Sequence, residues 1–168
     1  LSPGDGLKTL NLWAVDARGQ VSSNSQSVSV LLDQTAPNIS LSSLAGPLAG
    51  GAPYVLNFSL SDITSGLANA TLYYAEDGIN YVSLADITGL SSYLWTVPTT
   101  DTSAAKLKII ATDRAGNSSS VLSDIFTIDA TRPAAPMATL ASPSITNSTT
   151  VALNIGCLSD HAKILISE

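Results

Sequence analysis

The chain has 168 residues, 45% of them hydrophobic and only 12% charged, and 7 basic against 13 acidic side chains leave a net charge of −6. That length suits one or two domains with a real core, and no run of about eighteen apolar residues is available to cross a membrane as a helix. Lys and Arg form no cluster, which argues against a nucleic-acid partner.

Eleven of the acidic residues are Asp and only Glu76 and Glu168 are Glu. Asp suits turns and caps whereas Glu suits helices, so this skew, with Ser, Thr and Val throughout, predicts an all-β protein. Cys157 is the only cysteine, and no intrachain disulfide can form. Large extracellular proteins of bacteria often have this profile, while small secreted animal domains usually carry bridges.

In chain order, residues 7–15 lead into Asp16-Ala17-Arg18-Gly19, after which a Ser-rich alternating run ends at Leu32-Asp33. This predicts a hairpin. Residues 38–43 form a first short strand, followed by a Gly- and Pro-rich loop over 45–53. Residues 54–61 place Tyr54, Leu56, Phe58 and Leu60 on one face, the period-two mark of a half-buried strand. A turn over 62–66 leads to a strand at 70–75, and Glu76-Asp77-Gly78 carries the Asp-Gly hairpin signature. Strands follow at 81–84 and at 93–97, the latter stopped by Pro98. Residues 106–112, the turn Asp113-Arg114-Ala115-Gly116-Asn117 and a strand over 121–129 complete the set. Seven short strands with turn signals every 8–12 residues describe a two-sheet sandwich.

An internal repeat organises these elements. Leu7 to Gly19 and the run ending Asp33-Gln34-Thr35-Ala36-Pro37 match Leu107 to Asn117 and the run ending Asp129-Ala130-Thr131-Arg132-Pro133. Pro37 and Pro133 lie 96 residues apart, about one immunoglobulin-like domain. Val55 to Asp62 matches Ala152 to Asp160 with one insertion. The expected organisation is therefore a closing hairpin of a preceding repeat (residues 1–35), a complete repeat (36–130) and the opening strands of a following repeat (131–168). The outer pieces could be cuts through a longer polypeptide, or adjacent molecules could complement one another head to tail.

The segments Ala111-Thr112-Asp113-Arg114-Ala115-Gly116-Asn117, Asp129-Ala130-Thr131-Arg132-Pro133, Asp33-Gln34-Thr35-Ala36-Pro37 and Trp95-Thr96-Val97-Pro98 resemble the bacterial immunoglobulin-like and cadherin-like tandem repeats of large surface or secreted proteins. The resemblance implies an immunoglobulin-like (fibronectin III-like) two-sheet antiparallel sandwich, extracellular or on the bacterial cell surface. It implies a non-catalytic stalk or spacer whose partners are neighbouring repeats and a cell-surface glycan or protein. An accessory, carbohydrate-binding domain of a secreted hydrolase is the alternative. In such proteins calcium sometimes stiffens the domain junctions.

In an immunoglobulin-type sandwich the loops over 62–66 and 113–117 lie at the end where the linker enters, so Asp33, Asp62 and Asp113 are expected to approach one another. Calcium takes six to eight hard oxygens, which three carboxylates and nearby carbonyls can supply; the same aspartates also cap turns without any metal. Asp129 and Asp160 offer only part of a second such site. Cys157 and His161 lie four residues apart, but Cys157 falls in register with Val151, Leu153 and Ile155 as a small core residue. His161 has no second His to build a zinc site. Trp95 and Trp13 are expected to pack on strands, and Tyr73, Tyr74 and Tyr81 are candidates for a sugar platform. No convergent nucleophile, acid and base point to an enzyme.

Overall fold

In the computed structural model, residues 1–44, 46–135, 137–141, 145, 147, 149, 150 and 152–156 are described. Cys157, Asp160 and His161 lie outside them. The described residues form strands and turns without a helix, and the chain divides into two compact units, Leu1–Ala130 and Thr131–Glu168.

The first unit begins with an antiparallel hairpin of β1 (Gly6–Leu12) and β2 (Gln26–Leu32). A three-stranded sheet follows, in the order β3 (Asn38–Leu41), β5 (Pro53–Ser61) and β8 (Ser92–Thr96). Opposite it stands a six-stranded sheet. Its path runs β4 (Leu48–Ala49), β11 (Phe126–Asp129), β9 (Thr102–Asp113), β6 (Leu67–Ala75) and β7 (Val82–Asp86), and β10 (Ser118–Leu122) also pairs with β9. The second unit contributes an antiparallel pair, β12 (Met137–Leu140) with β13 (Leu153–Gly156).

One core lies between the two large sheets, which makes this region a β-sandwich. Leu56 and Phe58 of β5 and Trp95 of β8 meet Leu72 and Tyr74 of β6, Leu107 and Ile109 of β9, and Phe126 and Ile128 of β11. Trp95 is the hub, tilted at 5.4 Å against Tyr74 and edge-on at 6.2 Å to Phe126; these offset geometries are the ones aromatic pairs prefer. The alternation read in residues 54–61 is seen directly, with Leu56 and Phe58 buried and Tyr54 and Leu60 packed beside them. Burial pushes the Tyr74 phenol up from its ordinary pKa, and the charge of Glu76 adds to this.

Several expectations need correction. The loop over 45–53 contains β4, which pairs in parallel with β11 through Leu48–Ile128 and Ala49–Asp129; two residues are too few to show a period. The strand expected over 121–129 is broken between β10 and β11, where Ser123 donates its amide to the Leu107 carbonyl and receives the Leu107 amide on Oγ. Trp13 is half-exposed just past the end of β1 and does not pack in a core. Tyr74 is buried, so it cannot join a surface platform with Tyr73 and Tyr81. The Asp77–Gly78 connection is wider than a two-residue hairpin: β6 and β7 pair only as far as Tyr74–Val82, and Asp77 caps the amides of Ile79 and Asn80.

Candidate functional site: the aspartate cluster at the linker

Asp33 ends the hairpin, Asp62 follows β5 and Asp113 ends β9. Each offers a carboxylate oxygen, and these oxygens lie within 4.8 Å of one another. Asp113 and Asp33 are buried and Asp62 is half-buried. Local turn chemistry aims all three. Asp113 Oδ1 accepts the amides of Ala115 and Asn117, both at 2.9 Å, and Gly116 takes the positive φ (96°) that the turn requires. Asp62 Oδ1 accepts the amides of Ser65 at 2.9 Å and Gly66 at 2.7 Å. Asp33 Oδ1 accepts the Thr35 amide, and its Oδ2 accepts the Ser65 amide, both at 3.1 Å. The Ser65 amide is thus shared between Asp33 and Asp62.

Asn117 ties these turns to the incoming linker. Its Nδ2 donates to Asp113 Oδ2 at 2.8 Å, to the Asp33 carbonyl at 3.2 Å and to the Thr35 carbonyl at 3.5 Å. Ser119 Oγ, on β10, donates to the Pro37 carbonyl at 2.5 Å. On the other side, Asp5 Oδ1 accepts the Gln34 amide at 2.7 Å and its Oδ2 accepts the Thr35 hydroxyl. Asp5 is the residue that sequence reasoning missed. The only available signal was its place between Gly4 and Gly6, both at positive φ.

The electrostatics follow from this wiring. Burial alone would raise the Asp113 pKa, but the side chain of Asn117 and the amides of Asn117, Gly116 and Ala115 outweigh it and hold the group below its ordinary value. Asp5 is lowered by the Thr35 hydroxyl and the Gln34 amide. These hydrogen bonds favour the charged form of Asp113 and of Asp5.

The donor set suits a hard cation. It is all oxygen, both amides on Asp62 fall on Oδ1 and leave Oδ2 for another partner, and Ser65 Oγ is enclosed without a hydrogen-bond partner. A half-open cleft of about 290 Å³ flanks Asp62, lined also by Thr35, Ala36, Asn38, Ser61, Ile63 and Thr64.

Comparison with known proteins finds no matching family model and no matching curated protein.

Proposed function

We propose that residues 36–130 form an immunoglobulin-like, fibronectin III-like repeat of a tandem array in a large extracellular bacterial protein, serving as a non-catalytic stalk or spacer. The strand order supports this reading. The first, second and fifth main strands make one sheet and the remaining ones the other, over a shared core.

The observation that carries the reading is the pinned linker. A flexible tether would leave its backbone groups to water. Here the stretch from Asp33 to Pro37 is held by Asp5 on one side and by Ser65, Asn117 and Ser119 on the other. Pro37 adds its own fixed φ. A pinned linker transmits orientation from bead to bead, which is what a spacer needs. A site for chemistry would need a nucleophile, acid or base aimed into a cleft, whereas these aspartates accept the backbone amides of Thr35, Ser65, Gly66, Ala115 and Asn117.

Calcium fits the same place as a reinforcing ion. Asp33, Asp62 and Asp113 would hold it, and it would supply positive charge opposite their carboxylates. Hydrogen–deuterium exchange tests the pinned linker. The amides of Gln34, Thr35 and Ser65 are expected to be protected, and exchange at the rate of an unstructured chain would remove the basis of the proposal.

A further inference from the structure

The β1–β2 hairpin has two unlike faces. Thr9, Asn11, Ser27 and Ser29 share one, where Thr9 and Ser29 hydroxyls meet at 3.3 Å and Ser27 donates to Asn11 at 2.6 Å, with the exposed Leu7–Leu31 pair at the end of the same face. Leu10, Leu12, Val28, Val30 and Leu32 share the other, and the first four of these are 49%, 74%, 63% and 43% exposed. Such alternation is the pattern of a strand pair with one buried face, yet among the described residues the apolar side is left largely exposed.

The complete repeat shows what such a face normally meets, because the hairpin matches its closing strands at the turn and at the linker end, although β2 runs unbroken where β10 and β11 are separate. Asp16 Oδ1 accepts the amides of Arg18 and Gln20 at 2.9 and 2.8 Å, as Asp113 Oδ1 accepts those of Ala115 and Asn117. Gly19 (82°) and Gly116 (96°) both take a positive φ in the two turns. Asp5 Oδ1 accepts the Gln34 amide as Asp101 Oδ1 accepts the Ala130 amide at 2.6 Å. The pairs Gly6–Leu32 and Lys8–Val30 reproduce Thr102–Ile128 and Ala105–Phe126. Counting back from Asp16 and Asp113, Leu10 and Leu12 stand where Leu107 and Ile109 stand; counting back from Pro37 and Pro133, Val30 and Leu32 stand where Phe126 and Ile128 stand. In the complete repeat those four residues are 0%, 0%, 6% and 1% exposed. Lys8 is the departure: it replaces the buried Ala105, so its stem must run to the edge of the buried face.

We infer that Leu10, Leu12, Val28, Val30 and Leu32 form one wall of a second hydrophobic core, and that its occupant is a set of strands of the β3–β8 kind. The two sheets would pack there as β3, β5 and β8 pack on β6, β9 and β11. This deepens the tandem-array reading and rests on it.

The test adds the occupant to the whole chain. Residues 36–96 are fused directly before Leu1 of the 168-residue protein, which regenerates one repeat at the 96-residue period. The expected result is one additional cooperative unfolding transition, with exchange at the Leu10, Leu12 and Val28 amides slowed by about 100-fold as a global unit forms. Leu12→Asp in the fused chain should abolish the added transition and leave that of the original sandwich in place. In the unfused chain a hydrophobic dye should bind, and Leu10→Ser with Leu12→Ser should remove that binding. An added segment that stays unfolded beside an unchanged sandwich would overturn the inference. So would concentration-dependent dimerisation of the unfused chain that protects the same residues, since a second copy would then be the occupant. Linker exchange is read separately, so failure here and failure of the pinned linker can be told apart.

Discussion

Ile109 and Leu12 occupy the same place in the repeat pattern, and truncating each to Ala should give very different results. Ile109 sits in the middle of β9 between Leu72 of β6 and Val121 of β10 and is fully buried. Ile109→Ala removes three carbons, worth about 0.8 kcal/mol each in transfer terms, or roughly 2.4 kcal/mol. The cavity that remains between two hydrogen-bonded neighbours cannot collapse freely, which raises the cost to about 3–4 kcal/mol. For a sandwich of this size that corresponds to a fall in Tm of roughly 12–16 °C. Leu12 is mostly exposed, so Leu12→Ala removes few contacts and should cost less than about 0.5 kcal/mol. Urea unfolding followed by Trp95 fluorescence, in a Trp13→Phe background, measures both. Equal costs for the two variants would refute this placement of the core, as would an unshifted midpoint for Ile109→Ala.

The other predictions concern packing, pH and ions. A Cβ at Gly50 would lie 2.3 Å from Ala130 Cβ and 2.7 Å from its Cα, so Gly50→Ala should destabilise the sandwich by about 1–3 kcal/mol through overpacking, measured by chemical denaturation. The Asp77 carboxyl is held down to about 2 by the amides of Asn80 and Ile79 and by the Asn80 side chain. A lowered pKa contributes stability that is present above the ordinary value of 3.8 and lost as the pH falls through about 2. NMR titration should place the Asp77 midpoint there, and Asp77→Asn should flatten the acid limb of the unfolding curve. With calcium in place of chelator the melting temperature should rise, and Asp33→Asn with Asp113→Asn should cancel the rise; identical curves would mean that hydrogen bonds alone hold the junction.

Local patterns were legible in the sequence and long-range ones were not. Leu56, Phe58 and Trp95 announce their burial by alternation, and the turn from Asp113 to Asn117 announces itself by composition. The approach of Asp33, Asp62 and Asp113 follows once their loops are assigned to one end. By contrast, β4 is a two-residue strand whose partner β11 lies some eighty residues away, so no local period marks it. The break between β10 and β11 depends on Ser123 meeting Leu107 on a different strand. Trp13 has the character of a core residue, and only its position past the end of β1 leaves it half-exposed. Asp5 joins the linker through residues 29 and 30 positions away, and its flanking glycines are the one local mark it carries.

The pinned linker is tested most directly by measuring ¹⁵N relaxation on the β1–β2 hairpin and on the β3–β11 sandwich of the same molecule. One rotational diffusion tensor should describe both, and Asp5→Ala with Asn117→Ala should split it into two while leaving the sandwich folded. Independent tumbling of the hairpin in the unmutated protein would contradict the account.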